Sequence, residues 1–302
     1  MMLFSLVAVL LLEQVRPLPV KRVVLDPLRA LVSRISRRCG YGRGRLAWGL
    51  AVLGGTALCA VVAWLLPLLL CVVFTVGVLY LTLGFRHESH FFTDIHLALR
   101  MQELGAARRL LAEWRGGQYE DADADEVARL AIEQALVASH RNVFGVIFWF
   151  VVLGPCGAVM YRLARFLHDE WGGRQDGVPE EGYGQFARHA FYIIDWLPSR
   201  LTAVLFAIGG NFEDAVFCWR AQSVLWPDRG NAVLVASGAG ALGVRLGSVP
   251  GVEGSDAEIL DVGVGDKAGV DDMQATVGLV WRALVVCLVL LALTAVAVWV
   301  GG

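Results

Sequence analysis

Charge is what this sequence lacks over its longest stretch. Between Leu46 and Phe85, forty consecutive residues carry no charged side chain. A membrane's hydrocarbon core is crossed by about 20 apolar residues in a helix. The run therefore has the length of two crossings, and Pro67 falls near its middle, where the chain would turn back. Overall only 18% of the 302 residues are charged and 57% are hydrophobic, against the roughly 25% charge usual in soluble domains. Net charge is −2, so no basic field argues for nucleic acid as a partner. Six cysteines occur without a C-x-x-C pair. Cys59, Cys71, Cys156 and Cys287 lie in apolar runs, where cysteine serves as a small hydrophobe, so the pattern indicates neither a disulfide framework nor a zinc module. There is no G-x-x-x-x-G-K-[ST] loop, no H-E-x-x-H, and no serine, cysteine or histidine arrangement suited to nucleophilic catalysis. Met2 to Leu12 is apolar, with no basic residue ahead of it and no small-residue cleavage site behind. It reads as an uncleaved first hydrophobic segment.

What is present organises a membrane protein. Residues 13–45 form a basic connector in which Arg16, Lys21, Arg22, Arg29, Arg34, Arg37, Arg38, Arg43 and Arg45 face only Glu13 and Asp26. Short basic loops stay cytoplasmic. A hairpin over Leu46–Phe85 returns the chain to that side, so the polar insert over 86–142 is expected to be cytoplasmic and helical. In it, LALRMQELGAARRLLAEW (97–114) places Leu97, Met101, Leu104 and Leu111 on one helical stripe. Asp123 three residues ahead of Glu126 resembles a capping box opening a second helix. Val143–Tyr161 is a further apolar run that Gly154-Pro155 kinks. His189–Gly210 and Ala283–Val300 complete about five spanning or half-spanning segments. The expected fold is an all-α polytopic membrane helical bundle, a single integral membrane domain over 1–302, with a discontinuous helix near Pro198.

Polar residues at membrane depth are the first place to look for function, because an unpaired charge there costs a few kcal/mol. HAFYIIDWLPSRLTAVLFAIGG (189–210) carries Asp195 and Arg200 on either side of Pro198. A helix broken by proline frees backbone carbonyls and lines a cavity, which makes Asp195 and Arg200 candidate cavity residues; a structural ion pair at headgroup level, with Trp196 as belt residue, is the alternative. His87, His90 and Asp94 share one helical face at 100° per residue, with His96 opposite, and their donors suit a divalent metal; a solvated face is the competing reading. GAGALG (238–243) matches G-x-G-x-x-G, but no βαβ context surrounds it, and small residues also serve close helix packing in membranes. Glu213 and Asp214 fit the N-terminus of a helix, where acids offset the dipole.

In order and spacing, several segments resemble the CobD/CbiB family of integral membrane proteins: the short N-terminal segment, GAARRLLAEWRG (105–116), IFWFVVLGPCGAVMYRL (147–163), WLPSRLTAVL (196–205), ASGAGALGVRLG (236–247) and the final span. The resemblance implies one of two activities. Synthases of the family form the aminopropanol-bearing amide of cobinamide. The AmpE-like branch consists of inner-membrane proteins linked to a cell-wall amidase and β-lactamase regulation. Before the phenylalanine-tryptophan, the synthases place a Glu, then Glu-Asn, then Asp; here Glu133 matches, but Val137, Ala138 and Arg141 stand at the others. Their Asn-Thr-Leu-Asp after the third span is Arg165-Phe166-Leu167-His168, and their Asp-Asp pair is Phe191-Tyr192. Acidic groups would hold a divalent metal and phosphates for carboxylate activation. The resemblance thus implies first an AmpE-like sensor or accessory protein of the bacterial inner membrane, with a small-molecule ligand or the cell-wall amidase pathway as partner. The alternative it implies is an adenosylcobinamide-phosphate synthase. Glu133 and Arg141 join Asp195, Arg200, Glu213 and Asp214 as candidate cavity residues.

Overall fold

The computed structural model describes residues 2–15, 28, 29, 32, 44–172, 183–223, 229–248 and 261–301. Most of the basic connector lies outside them, and so does the side chain of His87. The chain is overwhelmingly helical, as the hydropathy pattern requires. Gly44–Leu65 (α2), Ala124–Leu153, Gly184–Gly209 and Asp272–Gly301 are each long and apolar enough to cross a membrane. α1 (Met2–Val15) precedes them. Only 17% of the apolar window of α2 and 11% of that of the last helix are buried inside the protein, as lipid-facing surfaces need.

The described residues form two compact units, Met1–Arg86 with Gly145–Leu197, and His87–Phe144 with Pro198–Gly302. In the first, Pro67 ends α2 as expected. Its backbone is extended (φ −62°, ψ 155°) and it opens α3 (Leu68–Thr82). At 15 residues, α3 rises about 22 Å, short of a hydrocarbon core of about 30 Å. The two limbs do most of their packing on α8 (Pro155–Gly172) and α1 rather than on one another.

Gly154-Pro155 is a reversal and not the kink expected. α7 (Gly145–Leu153) stops at Gly154, whose φ of +65° suits a residue without a Cβ, and Pro155 opens α8, where its missing N–H costs nothing. α7 and α8 then run antiparallel: Gly157 lies against the Trp149 carbonyl and, four residues further out on each limb, Tyr161 lies against Gly145. Tight backbone approach at glycine makes this hairpin possible.

A second correction concerns Pro198. α9 (Tyr183–Gly209) passes through it without interruption. Proline removes one donor, the N–H that would close on the carbonyl four residues back, here that of Ile194. The indole N–H of Trp149 on α7 donates to this oxygen at 3.3 Å. A neighbouring helix thus fills the defect that local sequence reads as a break.

In the second unit the stripe over 97–114 is divided. α4 (Phe85–Arg100) and α5 (Leu104–Arg115) meet at Gln102, which adopts φ +61°. The buried set is Phe92, Ile95, Ala98, Leu99, Ala107 and Leu111, whereas Leu97 and Met101 are exposed. Asp123 caps α6 (Ala124–Ser139), accepting the Glu126 N–H at 2.7 Å as the capping-box pattern predicts. α6 passes through a π-helical turn, His140–Phe144, into α7. α10 (Phe212–Gln222) and α11 (Arg229–Leu242) pack closely. GAGALG lies at the end of α11 as a packing surface. Gly240 abuts the Asp214 backbone, Gly238 meets Leu136, and Gly210 meets Ala241. Among the described residues a helix, not a strand, leads into it. A strand follows it, β1 (Val244–Ser248), flanked by antiparallel β2 (Asp261–Gly263) and parallel β3 (Asp266–Lys267). This small sheet was not expected from the glycine-rich sequence. α12 (Asp272–Gly301) ends the fold.

Candidate functional site

Two groups of buried polar side chains stand out, one within each unit. In the first unit Asp195 is 5% exposed. The Tyr161 hydroxyl, on α8, donates to its Oδ1 at 2.8 Å. Tyr161 itself is fully buried and stacks obliquely on Phe191, with ring centres 5.6 Å apart. Phe191 also meets the His168 imidazole, centres 4.9 Å apart, and His168 Nδ1 pairs with the Asp169 carboxylate at 3.0 Å. Asp195 is therefore a buried carboxylate held by a phenol on an aromatic wall. Arg200, five residues further along α9, is half-buried.

The second group centres on α6. Glu133 is 4% exposed, and both of its oxygens are engaged. Arg115 Nη1 donates to Oε2 at 3.1 Å, and the Gly247 N–H donates to Oε1 at 2.7 Å. One carboxylate so ties α5, α6 and β1 together, a charge-assisted arrangement that a buried acid needs. Two turns on, His140 is wholly buried at the start of the π turn, a device frequent at functional sites. Its Nδ1 lies 2.9 Å from Thr202 Oγ1, while Thr202 spends its single hydroxyl proton on the Pro198 carbonyl at 3.0 Å. Thr202 must then accept from His140, so Nδ1 carries a proton. Asn142, Ser199 and Ser237 are also buried in this unit, and Ser237 donates to the Ala203 carbonyl at 2.7 Å.

Arg141 is half-buried in the π turn. Glu213 and Asp214 occupy the first turn of α10, whose cap is Asn211; it accepts the Asp214 N–H at 3.3 Å and donates to the Asp214 carboxylate at 2.6 Å. His90 and Asp94 are exposed on α4, and the side chain of His87 lies outside the described residues. Among the described residues no three or more His, Cys, Asp or Glu side chains converge as a metal site. The donors do not fit the divalent ion that the family chemistry implies. Each Glu133 oxygen already accepts a hydrogen bond from the protein, Val137, Ala138 and Phe191 are buried apolar residues, and magnesium demands oxygen ligands. Sequence reasoning missed Tyr161, His140 and Thr202. A lone polar residue within an apolar helix was the available signal for each.

Apolar helices of spanning length around buried polar groups define an integral membrane protein. The family model for CobD/Cbib protein matches residues 14–280, and the chain belongs to that family. It is 32% identical over 296 residues to a cobalamin biosynthesis protein CobD of Stutzerimonas stutzeri, covering 95% of this chain and 96% of the relative. It is 34% identical over 219 residues to a CobD of Chromobacterium violaceum, covering 72% and 69%. A cobalamin biosynthesis protein CbiB of Salmonella typhimurium is 24% identical over 223 residues, covering 72% and 69%. No solved structure matches the chain. These relatives carry cobalamin names and lend no support to the AmpE-like regulatory reading.

Proposed function

We propose that this protein acts in cobalamin biosynthesis as an amide-forming cobinamide-phosphate synthase of the cytoplasmic membrane, joining a corrinoid carboxylate to aminopropanol or its phosphate. The observation that carries the reading is end-to-end similarity to a protein named for cobalamin biosynthesis, over 95% of this chain and 96% of that relative. Glu133 matches the first acid of the synthase pattern, and the wholly buried His140 lies in the same unit as that acid. The test is complementation of a synthase-deleted, cobinamide-dependent strain. Growth is expected with the wild type. Failure of growth at normal membrane levels of the protein overturns the reading.

A second reading has its own observation. Phe191 is packed between Tyr161 and His168, and Val137 and Ala138 are buried, where the synthase resemblance calls for polar or acidic residues. A member that kept the fold and the buried Asp195, as an AmpE-like accessory protein, would look like this. It predicts no complementation, and a phenotype in the amidase pathway instead.

In either reading the basic 13–45 segment holds the insert over 86–142 on the cytoplasmic side. A cysteine at Gln118 is expected to be shielded from an impermeant thiol reagent in intact cells. Ready labelling there would reverse the topology.

A further inference from the structure

We propose that Arg45, Trp48 and Phe186 form a binding site for one anionic phospholipid where α2 and α9 begin. The site goes beyond both readings of the activity and depends on neither. Arg45 is the second residue of α2 and Phe186 the fourth of α9. The Arg45 guanidinium lies over the Phe186 ring, 5.7 Å from its centre, a cation–π contact. Trp48, one turn further along α2, meets the same ring edge to face, with centres 5.7 Å apart. The aromatic pair holds the arginine head at the end of an apolar helix but supplies it with no anion. Arg45 is exposed, and among the described residues no acid pairs with it.

A second, independent feature lies one turn deeper. The Trp48 indole N–H is buried and has no hydrogen-bond partner among the described residues, a state that calls for an acceptor. Trp48 as a whole is only half-buried. It sits about 4.5 Å beyond Arg45, three residues at the helical rise, on a helix of which only 17% of the apolar window is buried inside the protein. Free phosphate does not enter an apolar layer to reach that donor. A glycerophospholipid has an oxygen at each level, its phosphate among the headgroups and its acyl ester carbonyls one step below. Room for the ester exists at Gly49, beside Trp48 and one turn from Arg45, where an added Cβ meets nothing within 4 Å. Leu53, a turn further and 63% exposed, continues the path for an acyl chain. The sign of the headgroup follows from charge. The 13–45 segment that leads into α2 carries nine basic residues against two acids, and such segments beside a membrane helix draw anionic lipids. Arg45 donates to the phosphate through its guanidinium, and the Trp48 N–H donates to the ester carbonyl.

The test is native mass spectrometry of the full-length protein, delipidated in detergent and titrated with phosphatidylglycerol, with phosphatidylcholine and inorganic phosphate run in parallel. The wild type is expected to retain one phosphatidylglycerol per chain, to bind phosphatidylcholine more weakly, and to ignore an excess of inorganic phosphate. Arg45→Gln should raise the apparent Kd for phosphatidylglycerol about tenfold, as loss of a charge-assisted bond does, and Trp48→Phe about fivefold, as loss of one neutral bond does. Trp48→Phe keeps a ring against Phe186 and removes only the N–H, so a purely packing role for Trp48 would leave lipid binding unchanged. Competition by inorganic phosphate, equal retention of the two lipids, or unchanged binding in either variant would overturn the proposal. Arg45 is exposed, so Arg45→Gln decides the matter even if Trp48→Phe does not fold.

Discussion

Two helical stretches of this chain have the same length, 30 residues, and opposite surroundings. In Ala124–Leu153 (α6, the π turn and α7) 67% of the apolar window is buried inside the protein, and in α12 only 11%. Both qualify as membrane spans by composition. The difference lies in their polar residues. The first carries Glu133, His140, Arg141 and Asn142 through its middle. In α12, after Arg282 no charged residue follows to Gly301. Lipid leaves a buried polar group unsatisfied, so a helix that keeps such groups must turn them toward protein. Polar content, more than hydropathy, tells which apolar helix is the inner one.

The contrast can be broken most directly at Glu133. Glu133→Ala leaves the Gly247 N–H and the Arg115 guanidinium without their acceptor and is expected to cost about 3 kcal/mol, the low end for a broken buried pair, since Arg115 is 32% exposed. Arg282→Ala on α12, where the guanidinium only reaches the Gly278 carbonyl, should stay within about 0.5 kcal/mol. Thermal unfolding in detergent measures both. Equal losses would deprive the burial contrast of energetic meaning.

Glycine sharpens it further. A Cβ at Gly238 would strike Leu136 of α6, while one at Gly278 of α12 meets nothing within 4 Å. Gly238→Ala is expected to destabilise by about 1–2 kcal/mol through overpacking. Gly278→Ala should be neutral or stabilising by up to about 1 kcal/mol, because alanine is the better helix former. The same unfolding assay would show matching signs if the two helices were equally enclosed.

A smaller effect is expected at Trp149. Trp149→Phe removes the donor to the Ile194 carbonyl and should cost about 1 kcal/mol. Pro198→Ala restores a backbone N–H to that carbonyl, so the indole substitution should cost less in the alanine background. A double-mutant cycle with no coupling would mean that the indole and the proline defect are unrelated.

The smallest effect is at His96 on the exposed insert. Burial, then the Arg100 guanidinium, holds its imidazole below the usual histidine range, with Asp271 opposing. The fold favours the neutral ring. Stability is therefore full above the ordinary histidine pKa of about 6.5, declines as pH falls through it, and levels off below the folded value. In His96→Gln the melting temperature should fall slightly less between pH 7.5 and 5.5 than in wild type; an identical pH profile would remove His96 from the account.

Much of the fold was legible in the sequence because its signals are local. The break at Pro67, the Asp123 cap and the packing role of GAGALG follow from residue types within a few positions. The misreadings share one cause, a partner distant in sequence. Gly154-Pro155 looked like a kink because the approach of Gly157 and Tyr161 to α7 is a packing fact. Pro198 looked like a break because Trp149, which fills the gap, lies 45 residues from Ile194. The site was less legible for the same reason. Asp195 stood out as an acid in apolar sequence, but Tyr161 as its donor did not. Glu133 was singled out by resemblance alone, and neither Arg115 nor Gly247 could be paired with it from the sequence.

The repair at Ile194 also bears on the order of assembly. A helix with its full ladder of internal bonds can form as soon as it enters the bilayer. α9 cannot complete its own, because one carbonyl waits for a donor that belongs to α7. Until α7 docks, the stretch around Ile194 is free to bend or to draw water. Its full set of hydrogen bonds is then a late event in folding, completed by a neighbour and lost again if that neighbour withdraws.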